Sequence, residues 1–222
     1  MIDANPGGAL LTDEVREKSL LKVEQDLNRL YMSTPGKEAI KRGEGVTFRV
    51  RYQTTATTPS ERAKFGVLQY PVHILNGQGT NKTEPDHVVT MAKEHGISNA
   101  GRSGDIFEVV REAWEDSNVE GLGIPPWRTP QKVGFIKADN IYKRPGNRII
   151  LFRNIMLHEL GHMFGQDHGD GVMKRAIVLA DDSLFYTEAQ QTSIRANVRG
   201  WAMRALAEEQ AAERAAKAKR GP

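Results

Sequence analysis

Two histidines with a glutamate between them form the segment of this sequence best suited to chemistry. His158 and His162 are four residues apart, and Glu159 directly follows the first of them. On a helix, residues four apart project from one face about 6 Å apart along the axis, so both imidazoles can bind one metal ion. Glu159 lies about 100° further round the helix, where its carboxylate can reach a metal-bound water without being a ligand. The spacing therefore predicts metal-assisted hydrolysis.

A glycine and a third histidine follow at fixed distances from this pair. Gly165 can adopt the left-handed conformation that ends a helix, and the reversal of the chain then brings His168 back towards the metal. Three histidines leave a fourth position on zinc for water and substrate. The sequence has 21 Gly and 6 His in 222 residues, so requiring both at fixed positions lowers the chance of a random match roughly 400-fold. Asp167 and Asp170 are alternative third ligands, although the spacing favours His168.

The whole pattern resembles the signature of a known peptidase family. His158-Glu159-x-x-His162-x-x-Gly165-x-x-His168 is similar to the zinc motif of the metzincins, in which a methionine turn follows the third histidine. Gly171-Val172-Met173 looks like that turn, with Met173 beneath the metal. The resemblance implies one Zn²⁺ per chain, bound by the three histidines, and hydrolysis of peptide bonds with Glu159 as the general base. It is specific over residues 158–173 and looser over residues 67–205.

The resemblance also implies a fold and a way of binding substrate. We expect an α/β (α+β) domain in which a twisted mixed sheet carries an active-site helix and a C-terminal helix, preceded by an N-terminal helical segment. An extended peptide or protein substrate is expected to lie antiparallel to an exposed strand above the cleft. The segment Val133–Ala138 is one candidate for that strand.

The residues after the methionine depart from the family pattern. Lys174 and Arg175 follow Met173, so the tyrosine that some subfamilies place two residues after the methionine is missing. Contacts to the transition state must then come from elsewhere, and Tyr142, Arg175 and Tyr186 are the candidates.

Composition and charge limit the other possibilities. Apolar residues make up 39% of the chain and charged residues 27%, which is typical of a soluble globular protein. The absence of cysteine excludes disulfides, thiolate ligands and a cysteine nucleophile. The net charge of +3 lies partly at the C-terminus, which favours a solvated helix end over a nucleic-acid partner. With no signal peptide and no apolar run of roughly 18 residues, we expect a protein that is cytoplasmic, exported by a non-classical route, or already trimmed.

Hydrophobic periodicity predicts the elements that must position the site. Helices are expected from Thr12 or Asp13 to Tyr31, from Pro85 to His95, from Asp105 through Trp114, from about Phe152 through the zinc motif, and from Thr187 to about Lys219. Strands are expected over Val46–Tyr52, Val67–Leu75, Val133–Ile136 and Ile149–Leu151. Residues 121–130 are predicted to be a loop because glycines and three prolines interrupt them. The other histidines, His73, His87 and His95, are expected to be surface or core residues.

The chain is predicted to have three regions. Residues 1–44 form an N-terminal helical segment, residues 45–206 a zinc peptidase catalytic domain, and residues 207–222 a charged helical tail. The first boundary is placed at the glycines of Gly43-Glu44-Gly45, and the second where the apolar stripe of the last helix ends. The N-terminal segment could serve latency, docking or structure, and both end regions are expected to be dispensable for the zinc site.

Two other functions fit features of the same sequence. A non-catalytic structural or docking protein that retains a zinc-peptidase fold is suggested by the helical, charged termini and by the missing tyrosine. A DNA-associated zinc peptidase is suggested by the basic tail alone. Cleavage of a peptide library and the salt dependence of DNA binding separate these alternatives from an endopeptidase.

Overall fold

Helices and strands are mixed along the chain in the computed structural model, which describes residues 2–3, 13–31, 46–51, 53–54, 68–77, 82–99, 104–125, 132–143, 146–175 and 181–220. The helices are α1 (Asp13–Arg29), α2 (Pro85–Glu94), α3 (Ile106–Glu115), α4 (Ala138–Lys143), α5 (Arg148–Met163) and α6 (Glu188–Arg220), with a 3₁₀ turn at Gly171–Met173. The strands are β1 (Ile2–Asp3), β2 (Gln53–Thr54), β3 (Val72–Leu75), β4 (Gly121–Gly123) and β5 (Gly134–Lys137). The predicted mixture of helices and strands is confirmed.

The strands form one mixed sheet in the order β2-β1-β3-β5-β4. All neighbouring strands are parallel except β4, which pairs antiparallel to β5 with Gly121 opposite Ile136 and Gly123 opposite Gly134. Strand β5 is therefore paired on both sides. The prediction that Val133–Ala138 is an exposed edge is wrong, because β4 covers that side and is itself the edge strand.

Helices pack on both faces of the sheet and create two apolar cores. Side chains alternate between the faces of a strand, so Ile74 and Ile136 face the core formed with α1 and α5. Leu75 and Phe135 face a second core formed with α2 and α3. Helix α5 lies between the sheet and α1, and almost every one of its residues is buried as a result.

The burial of almost all of α5 explains why its first turns were predicted wrongly. Ile149–Leu151 was expected to be a strand, and the helix was expected to begin near Phe152. The helix begins at Arg148, where the side chain of Asn147 accepts hydrogen bonds from the amides of Ile149 and Ile150. A helix that is buried on nearly all sides has little amphipathic period, so its isoleucine-rich start is indistinguishable from a buried strand by periodicity.

The segment from Val46 is also not the strand that its alternating pattern predicts. The described residues 46–51 have no regular secondary structure, and only Gln53–Thr54 pairs in the sheet. Side chains of α1 take up the backbone groups instead: the Phe48 amide donates to Asn28 Oδ1 at 2.9 Å, and the Val50 amide donates to a Glu24 carboxylate oxygen at 2.8 Å. Tyr52 lies outside the described residues.

Helices α1, α2, α3 and α6 agree with the sequence-based predictions, whereas α4 was not predicted. Asp105 caps α3 by accepting the Phe107 amide at 2.8 Å. At the start of α6, the Thr187 amide donates to Gln190 Oε1 at 2.8 Å, and the Gln190 amide donates back to the Thr187 hydroxyl at 3.3 Å. This reciprocal capping fixes the beginning of the last helix.

Helix α1 belongs to the same core as α5, which argues against a domain boundary after residue 44. Leu20, Val23 and Leu27 are buried in the core that contains most of α5. The two helices are also joined by a buried ion pair, with Arg153 Nε 2.6 Å from Asp26 Oδ2. The glycines near residue 44 suggested a junction between units, but periodicity within α1 could not show what its apolar face packs against.

The end of α6 extends away from this core. Ile194 and Val198 are the last buried apolar residues of the helix, and residues 206–218 are all exposed. The exposed end of the helix agrees with a charged helical tail over residues 207–220. The predicted tail also included residues 221 and 222, which lie outside the described part. Among the described residues, no helix is both long and apolar enough to cross a membrane.

The second core contains a buried histidine whose burial makes stability depend on pH. His73 is 6% exposed, stacks on Phe135, and has its Nε2 2.7 Å from the Nε2 of His95. Burial lowers the pKa of His73 to about 3, and the nearby His95 acts in the same direction. His73 is thus a core residue, as expected.

We expect the cost of replacing His73 by glutamine to shrink as the pH falls. Between pH 6.5 and 3 the unfolded chain binds a proton at His73 that the folded chain does not, so the wild type loses stability as the pH drops through this window. The variant lacks this loss, and its penalty relative to wild type should decrease by about 2 kcal/mol from pH 7 to pH 5. Urea unfolding at both pH values measures it, and a constant penalty would contradict the assignment.

Candidate metal centre

The three histidines of the motif meet at one point. His158, His162 and His168 each offer a nitrogen, and these nitrogens all lie within 4.8 Å of one another. His158 and His162 come from successive turns of α5, with their Nε2 atoms 3.2 Å apart. Within the described ranges of the chain, this is the one group of three or more such side chains that could hold a metal ion. The predicted set of three is therefore assembled by the fold.

The two helical histidines have their orientation fixed by main-chain carbonyls. His158 Nδ1 donates to the Val172 carbonyl at 2.8 Å, and His162 Nδ1 donates to the Gln166 carbonyl at 2.8 Å. A carbonyl can only accept, so Nδ1 carries the hydrogen on both rings. In the neutral rings both Nε2 atoms then hold a lone pair, and these lone pairs face each other. Such outer hydrogen bonds to a backbone carbonyl are typical of metal-binding histidines.

The turn that ends α5 also supplies one of these carbonyls. Gly165 has φ of 86°, its amide donates to the His162 carbonyl at 2.9 Å, and the Gln166 amide donates to the Gly161 carbonyl at 2.9 Å. These two bonds define a Schellman motif, which explains the glycine at this position. The same turn places the Gln166 carbonyl against His162 and directs the chain back towards His168. The predicted role of Gly165 is confirmed.

The methionine turn packs against α5 and contacts His158 and Gly161. Met173 is fully buried in the 3₁₀ turn, and a Cβ on Gly161 would lie 2.3 Å from its Sδ. Gly161 thus leaves room for the methionine one residue before His162. The preceding residue, Val172, is anchored by its amide, which donates to the Phe185 carbonyl at 3.0 Å, while its own carbonyl accepts from His158. Met173 therefore supports the helix that carries the ligands.

Burial controls the ionisation of all three histidines. It lowers the pKa of His158 to about 4, opposed by the hydrogen bond to Val172. Burial also lowers the pKa of His162. The pKa of the more exposed His168 is lowered by partial burial and by the neighbouring Arg175 guanidinium. The imidazoles are therefore neutral at pH 7, which is the form that binds a metal ion.

Glu159 is enclosed between α5 and the edge strand β4. Burial raises the pKa of its carboxyl to about 8, the hydrogen bond from the Gly123 amide lowers it, and the nearby Glu120 raises it. A bound divalent cation would act in the opposite direction to burial and favour the carboxylate. The group is thus held at the interface of the helix and the sheet, next to the histidine ligands but outside their cluster.

The structure separates the candidates for transition-state contacts. Arg175 is exposed and close enough to His168 to affect its pKa. Tyr186 is buried, and its hydroxyl donates to the Leu157 carbonyl on the core side of α5. The side chain of Tyr142 lies outside the described part of the structure. Arg175 is the candidate that the structure brings towards the histidines.

The alternative third ligands have other surroundings. Asp167 is exposed and raises the pKa values of His162 and His168, and it is not a member of the metal-binding group. The carbonyl of Asp170 accepts from the Met173 amide and from Gln190 Nε2, so this residue starts the methionine turn. The geometry therefore groups His168 with the two helical histidines, as the spacing predicted.

Several residues of the site were missed at the level of sequence. Gly121 and Gly123 of β4 face Glu159, and Gly161 faces Met173. The carbonyls of Val172 and Gln166 orient the ligands, but backbone groups leave no mark on residue type. The signal for the glycines was present in the Gly-Leu-Gly alternation, since a glycine in a strand often marks a close approach of another backbone.

Comparisons with known proteins add no relative: no protein-family model, no curated protein and no solved structure matches the chain.

Loss of any one histidine ligand is expected to weaken metal binding by more than about 100-fold, because loss of an outer hydrogen-bond partner alone costs 10–100-fold. The variants are His158→Ala, His162→Ala and His168→Ala, with metal content and competition against a chromophoric chelator as measurements. His87→Ala, which changes an exposed histidine on α2, should keep full metal content. Undiminished affinity in His168→Ala would remove it from the ligand set.

Proposed function

We propose that the chain is a zinc-dependent endopeptidase that resembles the metzincins. The observation that carries the proposal is the pair of Nε2 atoms 3.2 Å apart, whose lone pairs converge because each Nδ1 is committed to a carbonyl. Two converging lone pairs repel each other unless a cation lies between them. Tetrahedral zinc with Zn–N bonds of about 2.0–2.1 Å separates two nitrogen ligands by about 3.3 Å. His158, His162 and His168 therefore suit zinc in number, chemistry and spacing.

The surrounding fold supports the resemblance. A methionine turn lies beneath the helix that carries the histidines, and a long helix closes the chain, in the order that the family resemblance implies. Among the described strands, β4 is the one that pairs antiparallel, and it lies at the edge next to Glu159. An open edge strand beside a metal site is what a peptidase needs to bind an extended substrate.

The register of β4 indicates which of its groups would bind a peptide. The Lys137 amide donates to the Glu120 carbonyl at 2.9 Å, and the Ile124 amide donates to the Val133 carbonyl at 3.0 Å. Residues 120 and 124 thus point their backbone groups towards β5. Because this direction alternates along an antiparallel strand, Gly121 and Gly123 point theirs outwards. A substrate strand would pair with the outward backbone groups of Gly121, because the Gly123 amide already donates to the Glu159 carboxylate.

The chain's own residues account for the proton movements of peptide hydrolysis. When bound, zinc supplies Lewis acidity, which lowers the pKa of a coordinated water to about 7 and polarises the scissile carbonyl. Glu159 accepts the proton from the attacking water and gives it to the nitrogen of the leaving amine. The outward groups of β4 hold the substrate extended, and Arg175 is the candidate for contact with the developing oxyanion.

The experiment is to load the purified chain with one equivalent of zinc and incubate it with a library of quenched peptides. We expect cleavage at internal bonds, loss of cleavage with a chelator, and recovery when zinc is returned. Stoichiometric zinc binding without cleavage of any peptide would favour the structural or docking role. DNA binding that falls steeply with salt would favour the DNA-associated alternative.

A further inference from the structure

Strand β4 approaches α5 so closely that a side chain has no room on the facing side. A Cβ built on Gly121 would lie 2.6 Å from Oε1, 2.7 Å from Cγ and 2.8 Å from Cδ of Glu159. A Cβ built on Gly123 would lie 2.2 Å from the backbone oxygen of Glu159 and 3.0 Å from His162 Cβ. Real Cβ atoms essentially never approach another heavy atom within 3.0 Å. The two glycines therefore set the separation of the strand and the helix.

The two close approaches differ in what they meet. The three atoms nearest to a Cβ on Gly121 all belong to the Glu159 side chain, whereas the two nearest to a Cβ on Gly123 belong to the main chain of α5. The Gly123 amide also donates a hydrogen bond to the Glu159 carboxylate. Neither glycine has a positive φ, so the backbone itself would accept another residue. The requirement at Gly121 is therefore space for the Glu159 side chain.

We infer that Gly121 is a positioning residue, which leaves the space in which the Glu159 side chain lies and so sets the direction of its carboxylate. The expected effect of Gly121 on the reaction rate rests on the proposed peptidase function, whereas its effect on the packing of Glu159 does not. Two residues further along the same strand, the Gly123 amide donates to this carboxylate. The glutamate is thus fixed by β4 itself, the strand along which the substrate would bind.

Leu122 shows that the arrangement belongs to one face of the strand. It lies between the two glycines and packs against the second core, on the side of the sheet away from α5. In the pattern Gly-Leu-Gly, the leucine anchors the strand in the core on one face. The two glycines leave the other face, next to Glu159, without side chains. A methyl group at position 121 would displace the Glu159 carboxylate while leaving the anchor in place.

The first test is a stability cycle that does not depend on activity. In the zinc-loaded full chain, Gly121→Ala should lower the melting midpoint by at least about 2–4 °C, because the added methyl overlaps the glutamate. In a Glu159→Ala background the overlapping atoms are absent, and the same change should have little effect. Gly123→Ala meets the backbone and should destabilise both backgrounds alike. If the Gly121→Ala single variant fails to fold, folding of the Gly121→Ala, Glu159→Ala double variant would show the same overlap with the Glu159 side chain.

The second test uses kinetics of the zinc-loaded protein. Gly121→Ala should lower kcat at least about tenfold with KM and zinc content little changed, since a displaced base slows chemistry without weakening substrate binding. Gly200→Ala is the matched control, because a Cβ there meets nothing within 4 Å. Equal destabilisation of both backgrounds, or an effect confined to KM, would overturn the inference. If the wild type cleaves no peptide, the proposed function fails, while the stability cycle still decides how Glu159 is positioned.

Discussion

Replacing Glu159 by glutamine is expected to slow peptide hydrolysis by about two to four orders of magnitude while one zinc ion stays bound. Glutamine has the shape of glutamate and can keep the hydrogen bond from the Gly123 amide, but it cannot accept a proton from water. The carboxylate is not a member of the ligand group, so its loss should leave the histidines in place. Single-turnover rates at matched zinc content measure the effect.

A matched control for this substitution lies directly before strand β4. Glu120 is a partly buried glutamate close enough to Glu159 to raise its pKa. Glu120→Gln makes the same chemical change without removing the proposed base, and its rate should fall by less than about tenfold. Wild-type turnover in Glu159→Gln, or an equal loss in both variants, would contradict the assignment of Glu159 as the base.

The ligands could be predicted from sequence because they are local. His158 to Met173 span a helix, a Schellman turn and a 3₁₀ turn, and each of these is specified by residues within it. A helix places residues four apart on one face whatever surrounds it, and Gly165 needs only its own backbone to reverse the chain. The sequence therefore predicted which three histidines lie close enough together to bind a metal ion.

The partners of these ligands could not be predicted because they are distant or lack a side-chain signature. The carbonyl that orients His158 belongs to Val172, and the residues that face Glu159 are glycines of β4. Strand β4 was predicted to be part of a loop because glycines and three prolines interrupt residues 121–130, and both residue types are rare in strands. Its pairing with β5 and its packing on α5 override that preference. Tyr186 was proposed for the metal side, but tertiary packing directs its hydroxyl to the Leu157 carbonyl.

Helix α1 shows the same limit on a larger scale. Its apolar period predicted the helix from about Asp13, and that helix is present. Its partner is α5, more than a hundred residues further along, and the contact is partly an ion pair within an apolar core. Arg153 also donates to the Leu184 carbonyl at 2.5 Å and to Asn154 Oδ1 at 2.5 Å. The arginine thus joins α1, α5 and the segment that follows the methionine turn.

Replacing Asp26 by alanine is expected to destabilise the zinc-loaded protein by about 3–5 kcal/mol. The side chain of Arg153 is 1% exposed and that of Asp26 is 8% exposed, so the substitution leaves a buried guanidinium without its carboxylate. The double variant Asp26→Leu with Arg153→Met should recover much of the loss, because replacing both charges by apolar groups removes the desolvation cost as well.

The exposed pair of Glu14 and Lys18 on the same helix provides a control, and Glu14→Ala should cause no measurable change in stability. Urea unfolding and zinc titration follow each variant.

On the same grounds, a chain of residues 45–206 should lose both its cooperative unfolding and its zinc site, since it lacks α1 and the partner of Arg153. If that shortened chain folds cooperatively and binds zinc, α1 is an appendage, and the ion pair contributes little to the structure around the histidines.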